Sequence, residues 1–192
     1  MKGQALRDEI NRGVGQAWRR WKGEKYQELV EHVIRRYIED FGLATTTDDE
    51  LESPPSISLE KARKNVLVRY SKEIDVLPDM DIVIYDPNSL DVLAILSCKV
   101  SLRERIAQTA YWKLKLQVYN STKHIKTYLA SPDSDGVFSR ANVNKQRIIA
   151  EHDTDGAFIM GEVIESDNVK HFNKFSEILA ALKENAKRHF TD

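Results

Sequence analysis

The clearest hydrophobic pattern in the chain lies near its N-terminus and has the period of an amphipathic helix. Apolar side chains recur every three to four residues, which predicts one helix with a single buried face. The members of that face are Tyr26, Leu29, Val30, Val33, Ile34, Tyr37, Ile38 and Phe41. Gly42 follows at once, where glycine commonly ends a helix, so we expect the helix to end there.

Shorter apolar runs further along the chain predict a sheet. Strands are expected at residues 66–71, on both sides of the turn Asp86-Pro87-Asn88, and at residues 126–131 and 156–164. Helical spacing returns at residues 102–118 and 174–190. The segment 57–65 fits a short helix or the start of a strand, and the polar, acidic, proline-bearing segment 45–56 is interpreted as a loop.

This order of elements predicts the fold class. A helix, a meander of strands, a helix, two strands and a closing helix indicate an α/β fold with a mixed central sheet flanked by helices. The length of 192 residues suits one domain. Residues 1–22 form a basic amphipathic segment, in which GQAWRRWKG (15–23) interleaves two tryptophans with three cations. We expect this segment to serve in dimer packing or in contacts to DNA phosphates.

Composition narrows the functional classes only slightly. Apolar residues make up 41% of the chain and the net charge is −1, so a nucleic-acid-binding face would have to be local. No apolar run is long enough to span a bilayer, and the N-terminus lacks the apolar stretch of a signal peptide. The single cysteine, Cys98, excludes an internal disulfide. We therefore expect a cytoplasmic protein without a membrane partner.

Two charged residues at neighbouring strand ends suggest a site for chemistry. Asp81 opens the strand Ile82-Val83-Ile84, and Lys99 closes the strand that follows the turn. If these strands pair as a hairpin, both side chains lie at the same sheet edge. A metal-binding carboxylate beside a lysine is suited to phosphodiester hydrolysis. The plainer interpretation is a salt bridge at a strand edge.

The stretch from residue 78 to 112 resembles the PD-(D/E)XK nuclease superfamily. More narrowly, it is similar to the type II restriction endonucleases that read CCGG and related sites, where serine or threonine commonly stands two residues before the lysine. An arginine-rich motif then follows closely. The matching positions here are Pro78 with Asp79 or Asp81, then Ser97-Cys98-Lys99, then Arg103-Glu104-Arg105 and Gln108.

The chain departs from that pattern in its second acidic residue. Ser97 cannot supply a charged ligand, and the position on the following helix that carries an acid in CCGG readers falls near Lys113. The superfamily often carries G-x-x-F-E on its N-terminal helix, and here Gln27 stands in place of that glutamate. Glu31 projects from the same flank one turn later and is our preferred ligand, with Glu28 as the alternative.

The resemblance implies a restriction-endonuclease-like core and a Mg²⁺-dependent restriction endonuclease. Asp81 and Glu31 would hold the metal, Lys99 would complete the catalytic set, and Gln27 and Ser97 would support it, with Asp79 as an alternative to Asp81. Arg103, Glu104, Arg105 and Gln108 would bind DNA, because arginine can read guanine and glutamate can accept from cytosine.

The expected substrate is double-stranded DNA with a short, G·C-rich palindromic site. A two-fold site is most simply read by a homodimer. The alternatives are a structure-specific repair or Holliday-junction nuclease of the same superfamily, and a catalytically silent DNA-binding module. The charged triplet 103–105 could also be a solvated helix start.

Overall fold

The computed structural model describes residues 2–102 and 105–189, with side chains described between residues 16 and 184 of that range. Its helices are α1 Lys2–Ile38, α2 Asp48–Glu52, α3 Ile57–Val66, α4 Arg105–Gln117, α5 Lys145–Asp153 and α6 Phe175–His189. Its strands are β1 Ala44–Thr47, β2 Val68–Arg69, β3 Asp75–Val76, β4 Ile82–Tyr85, β5 Val92–Cys98, β6 Lys126–Ser131, β7 Gly156–Ile159 and β8 Val169–His171.

Six strands form one mixed sheet in the order β1-β4-β5-β6-β7-β8. The pairs β1–β4 and β4–β5 are antiparallel, whereas β5, β6, β7 and β8 are parallel. All seven residues of β5 are buried, as expected for a central strand covered on both faces. The prediction of an α/β fold with a mixed central sheet is confirmed.

Helix α1 covers one face of the sheet together with α6. Tyr26, Val30, Ile34 and Ile38 are buried there against side chains of β4, β5 and β6. The predicted apolar stripe was too wide, because Leu29 is 51% exposed and Tyr37 is 38% exposed. Gly42 adopts a left-handed conformation, with φ of 62°, after the short 3₁₀ turn Glu39–Phe41 that follows α1.

The opposite face of the sheet is covered by α3, α4 and α5 in two adjoining clusters. One cluster lies between α3, α4 and the strands β4 and β5, with the fully buried Leu51, Met80 and Leu116 among its members. The other lies between α4, α5 and the strands β6 and β7, around the buried Phe138. No described helix combines the length and the apolar character that a membrane crossing requires.

Several predictions of local structure were wrong or incomplete. Most of the segment 45–56 is not a loop, because residues 45–52 lie in β1 and α2 and only residues 53–56 lack regular structure. Thr47 and Glu50 make a reciprocal capping box at the start of α2. Helix α5, capped by Asn144, was not predicted. Strand β2 is only two residues long and pairs with β3 in a separate hairpin rather than in the central sheet. Strand β7 also ends at Ile159, earlier than expected.

The turn after β6 is organised by a single buried carboxylate. Asp133 accepts hydrogen bonds from the backbone N–H groups of Val137, Phe138 and Ser139 at 2.6, 2.9 and 3.0 Å. Its backbone is left-handed, with φ of 55°, a conformation that aspartate tolerates better than most residues. This carboxylate therefore satisfies three donors that would otherwise be buried without partners.

We expect Asp133→Ala to lower the free energy of unfolding by roughly 2–3 kcal/mol, because buried backbone donors lose their acceptor. Urea denaturation of the purified chain measures this loss. Asp133→Asn retains one acceptor oxygen, so its free energy of unfolding should lie between those of the wild type and Asp133→Ala. Asp153→Ala, at an exposed aspartate of α5, is the control and should change stability by less than about 0.5 kcal/mol. Equal stability of Asp133→Ala and the wild type would contradict this account of the turn.

Candidate active site at the sheet edge

Asp81 and Lys99 meet at the edge of the sheet where β4 begins and β5 ends. The antiparallel register pairs Ile82 with Leu96, and the Asp81 N–H donates to the Leu96 carbonyl at 3.0 Å. Asp81 Oδ2 accepts from Lys99 Nζ at 3.0 Å and from the Cys98 backbone N–H at 2.6 Å. The hairpin thus brings the two charges together, while their catalytic role remains a prediction.

Lys99 is almost completely buried, with 7% of its surface exposed. A buried ammonium group is costly unless it is paired. Asp81 provides the close partner, and Asp79 Oδ1 lies 3.9 Å from Lys99 Nζ. The backbone N–H groups of Asp81 and Lys99 extend the sheet ladder by donating to the carbonyls of Leu96 and Ala130. The lysine is therefore held with its charge toward the edge that the two carboxylates occupy.

The two candidate acids of the motif lie in different environments. The Asp79 side chain is 41% exposed and accepts a hydrogen bond from Gln108 Nε2 on α4. The Asp81 side chain is only 17% exposed and is the nearer of the two to Lys99. Gln108, which the resemblance assigns to DNA binding, therefore contacts a motif carboxylate in this structure.

A further carboxylate, Asp48, lies beside Asp81 and was not predicted. Thr47 of β1 pairs with Ile82 of β4, so the residues next to them, Asp48 and Asp81, fall at the same end of the two strands. Burial raises the pKa of Asp48, and the nearby negative charge of Asp81 raises it further. The Thr-x-x-Glu capping box starting at Thr47 was the readable signal that this segment is ordered.

Gln27 links helix α1 to the two carboxylates. Its Nε2 donates to the Asp81 carbonyl at 2.9 Å. Its side-chain amide also lowers the pKa of Asp48, against the larger opposing effect of burial. Gln27, which stands in place of the glutamate of the G-x-x-F-E pattern, thus supports the backbone of Asp81. It carries no charge and can bind a cation only through its amide oxygen.

The two glutamates of α1 are clearly separated by the structure. The Glu31 side chain is 18% exposed and pairs with Arg35 at 2.5 Å. The Glu28 side chain is 61% exposed and pairs with Lys25 on the outer surface. Glu31 therefore lies on the inner flank of the helix, as the helical wheel predicts, and Glu28 lies outside.

The pKa of the Cys98 thiol is influenced by three nearby carboxylates. Burial raises its pKa well above the usual value, and the negative charges of Asp81, Asp48 and Glu31 raise it further, against the opposing effect of Lys99. The carboxylates of Asp81, just before β4, of Asp48 in α2 and of Glu31 in α1 therefore all act on the same buried thiol. Within the described residues, however, no group of three or more histidine, cysteine, aspartate or glutamate side chains is close enough to form a complete metal site.

The remaining predicted residues are placed as follows. Ser97 is buried in β5, with 2% of its surface exposed, and carries no charge. Lys113, which replaces the acid of the CCGG readers, pairs with Asp155 at 3.7 Å. Arg103 and Glu104 lie outside the described residues, so their position is not part of this structure.

A cavity of about 430 Å³ opens in front of the Asp81–Lys99 pair. Three arginines contribute to its lining, namely Arg19 and Arg20 from α1 and Arg105 from the start of α4. Arg20 is also paired with Glu24 at 2.8 Å. The cavity is therefore lined by the Asp81–Lys99 pair together with three arginines, a positive lining that suits a polyanionic ligand.

Comparisons with known proteins identify the family of this chain. The family model described as "BsaWI restriction endonuclease type 2" matches residues 58–181. The putative type II restriction enzyme MjaVIP of Methanocaldococcus jannaschii is 36% identical over 179 residues, covering 88% of this chain and 78% of that protein. The probable type II restriction enzyme HpyAORF263P of Helicobacter pylori is 36% identical over 117 residues, covering 57% of this chain and 59% of that protein.

The fold is similar to that of a solved nuclease. The crystal structure of the pre-specific restriction endonuclease BsaWI–DNA complex superposes with a TM-score of 0.60, at 14% identity, over 95% of this chain and 70% of the solved chain. At this identity the likeness supports the fold, and the family follows from the sequence matches. The chain belongs to the BsaWI family of type II restriction endonucleases.

Proposed function

We propose that this chain is a Mg²⁺-dependent endonuclease that cuts both strands of DNA at a short, G·C-rich palindromic site, as a homodimer. The observation that carries the proposal is the buried Lys99, 3.0 Å from Asp81 at the base of a cation-lined cavity. The narrower assignment, to the PD-(D/E)XK nucleases that read CCGG-type sites, rests on Ser97-Cys98-Lys99 and on the charged triplet Arg103-Glu104-Arg105.

The donor groups at the sheet edge suit a magnesium ion. Mg²⁺ usually binds one or two carboxylates and keeps several waters, so it does not need a complete protein cage. Asp81 and Asp48 are ionisable neighbours whose mutual repulsion a cation would relieve. We assign the metal to these two residues, with Glu31 as a further donor on the inner flank of α1.

The groups of this chain then have distinct roles. When bound, Mg²⁺ supplies charge neutralisation and a more acidic water at the phosphate. Lys99 places a fixed positive charge where negative charge develops on the phosphate oxygens. Asp79 and Asp81 hold the lysine in position, and Gln27 fixes the backbone of Asp81.

We expect Asp81→Asn and Lys99→Ala to reduce DNA cleavage by about a thousandfold or more, roughly 4 kcal/mol in the activation barrier. The measurement is digestion of DNA in Mg²⁺ and in EDTA, with thermal unfolding recorded for each variant. Lys123→Ala, which changes an exposed lysine, should cut like the wild type.

Several outcomes of this digestion are distinguishable. An active Asp81→Asn beside an inactive Asp79→Asn would move the catalytic role to Asp79. Discrete fragments indicate restriction, cutting confined to branched junctions indicates a structure-specific nuclease, and no cutting by the wild type indicates a silent DNA-binding module. Full activity of both aspartate variants would remove the nuclease assignment of this edge.

We expect Asp48→Asn to be more stable than the wild type at pH 7 in EDTA. The raised pKa of Asp48 means that its ionised form costs stability above that pKa, and the cost disappears below the pKa of an exposed aspartate, about 4. Thermal unfolding should therefore show an advantage for Asp48→Asn at pH 7 that vanishes near pH 3.5.

The Asp48→Asn variant should also be stabilised less by magnesium than the wild type. Mg²⁺ that binds only the folded chain raises the unfolding temperature, and this rise should be smaller for Asp48→Asn and Glu31→Gln. Asp49→Asn and Glu28→Gln change exposed neighbours and serve as matched controls. A full magnesium response in Asp48→Asn would exclude Asp48 as a ligand.

We expect single alanine substitutions of Arg103 and Arg105 to weaken binding to cognate DNA by roughly 1–3 kcal/mol each, with a smaller effect on random DNA. Glu104→Ala should also weaken cognate binding, because a carboxylate near phosphates is repelled unless it accepts from a base. The measurement is the dissociation constant for both DNAs at fixed salt. Equal losses of affinity for both DNAs in the arginine variants, with tighter binding by Glu104→Ala, would show that the triplet contacts only the DNA phosphate backbone.

A further inference from the structure

An aromatic and aliphatic surface lies on the outer side of α4, away from the sheet. It comprises residues of α4, of the turn that follows it and of the β2–β3 hairpin. We call it the α4 outer face, and its members are Tyr70, Ile74, Tyr111, Leu114, Val118 and Tyr119. Each is between 36% and 67% exposed, and nothing within the described residues covers them.

The spacing on α4 is that of a helix seam. Ala107, Tyr111, Leu114 and Val118 follow one another at intervals of four, three and four residues, and all four are exposed. Apolar residues at this spacing pack against a second helix in coiled-coil geometry. The inner residues Ile106, Ala110 and Leu116 already bury the other side of α4, so the exposed seam is additional to what the core requires.

The parts of this surface are joined by direct contacts. The hydroxyl groups of Tyr70 and Tyr111 are hydrogen-bonded at 2.5 Å. Lys115 Nζ lies 4.8 Å from the centre of the Tyr70 ring and 5.4 Å from that of Tyr111. The lysine charge is thereby directed onto the rings. No acidic residue occurs in α4, so the α4 part of the face presents hydrocarbon, aromatic rings and one cation-π cluster.

We propose that the α4 outer face is the surface through which two copies of this chain associate about a two-fold axis. The proposal rests on the proposed function, because a palindromic site cut in both strands calls for two related active sites. A two-fold contact uses the same patch on both copies, and the apolar side chains of the seam can pack against their own copies. Leu114 and Val118 are poorly suited to DNA, which offers them no apolar surface outside its grooves.

The size of the face agrees with such a contact. Six large side chains exposed by 36–67% leave roughly 600 Å² of surface, and two copies would bury about 1,200 Å². That value is at the lower end of the range for stable protein interfaces, about 1,200–2,000 Å². The roughly 600 Å² on one copy is also as large as the largest apolar patch normally found on a monomer, about 300–600 Å².

The position of the face on α4 connects it to the active site. Arg105, at the first turn of α4, lines the catalytic cavity, and Gln108 contacts Asp79. Leu114 lies nine residues after Arg105, about 14 Å along the helix at 1.5 Å per residue. A two-fold axis at Leu114 would therefore separate the two Arg105 residues by roughly 30 Å measured along the helices, comparable with one turn of DNA.

The first test is the sedimenting mass of purified chains at micromolar concentration. The wild type should sediment as a dimer and Leu114→Glu as a monomer, because two buried carboxylates would oppose each other across the axis. Ile57→Glu is the matched control, since Ile57 is 80% exposed on α3, and it should remain dimeric. A monomeric wild type, or a Leu114→Glu chain that stays dimeric, would overturn the proposal.

The second test is cross-linking, which does not depend on a destabilising charge. Leu114→Cys should form a covalent dimer under mild oxidation, because a residue near a two-fold axis meets its own copy. The natural Cys98, the single cysteine of the sequence, is buried and should not react. Ile57→Cys should stay uncross-linked. Equal cross-linking of both cysteine variants, or no cross-linking of Leu114→Cys, would contradict self-association through the α4 outer face.

These results test the α4 outer face and the proposed nuclease function separately. A Leu114→Glu monomer that nicks one strand but loses double-strand cuts at least tenfold supports both. A wild-type dimer that depends on Leu114 but cuts no DNA supports the face and refutes the proposed function. Unchanged mass with weaker DNA binding in Leu114→Glu would assign the face to DNA contact and refute self-association.

Discussion

The arrangement of this protein depends on the ion pair between Asp81 and the buried Lys99. An ammonium group with 7% exposure is stable only while a carboxylate faces it. The antiparallel pairing of β4 and β5 makes that possible, because the residue just before β4 and the residue just after β5 lie at the same edge of the sheet. The Cys98 backbone N–H also donates to the same oxygen of Asp81, so strand pairing and charge placement are one structural feature.

Much of this edge could be predicted from the sequence, because it depends on local order. Two apolar runs around Asp86-Pro87-Asn88 determine a hairpin, and a hairpin determines which ends meet. Asp48 could not be found in the same way. Its approach to Asp81 requires the pairing of β1 with β4, across more than thirty residues, and no pattern in the segment 45–56 indicates that partner.

Other differences have equally specific causes. Leu29 and Tyr37 belong to the apolar stripe by spacing, but α1 packs on the sheet along a narrower line through Val30 and Ile34. Helix α5 escaped prediction because its sequence, KQRIIAEHD, is mostly polar and its buried residues include Arg147. That arginine donates to the carbonyl of Phe138 and to that of Ile164, a role that hydrophobic periodicity does not reveal.

Helix α1 explains how the core and the cavity are coupled. Tyr26 and Val30 anchor its second half in the core, and between them Gln27 holds the Asp81 carbonyl. Residues 16, 20, 23 and 27 recur on one side of the helix and all line the cavity. A rigid helix rises 1.5 Å per residue, so Arg20 is held about 10 Å along the helix from Gln27. The same helix that holds the Asp81 backbone therefore sets the distance of its arginines from the Asp81–Lys99 pair.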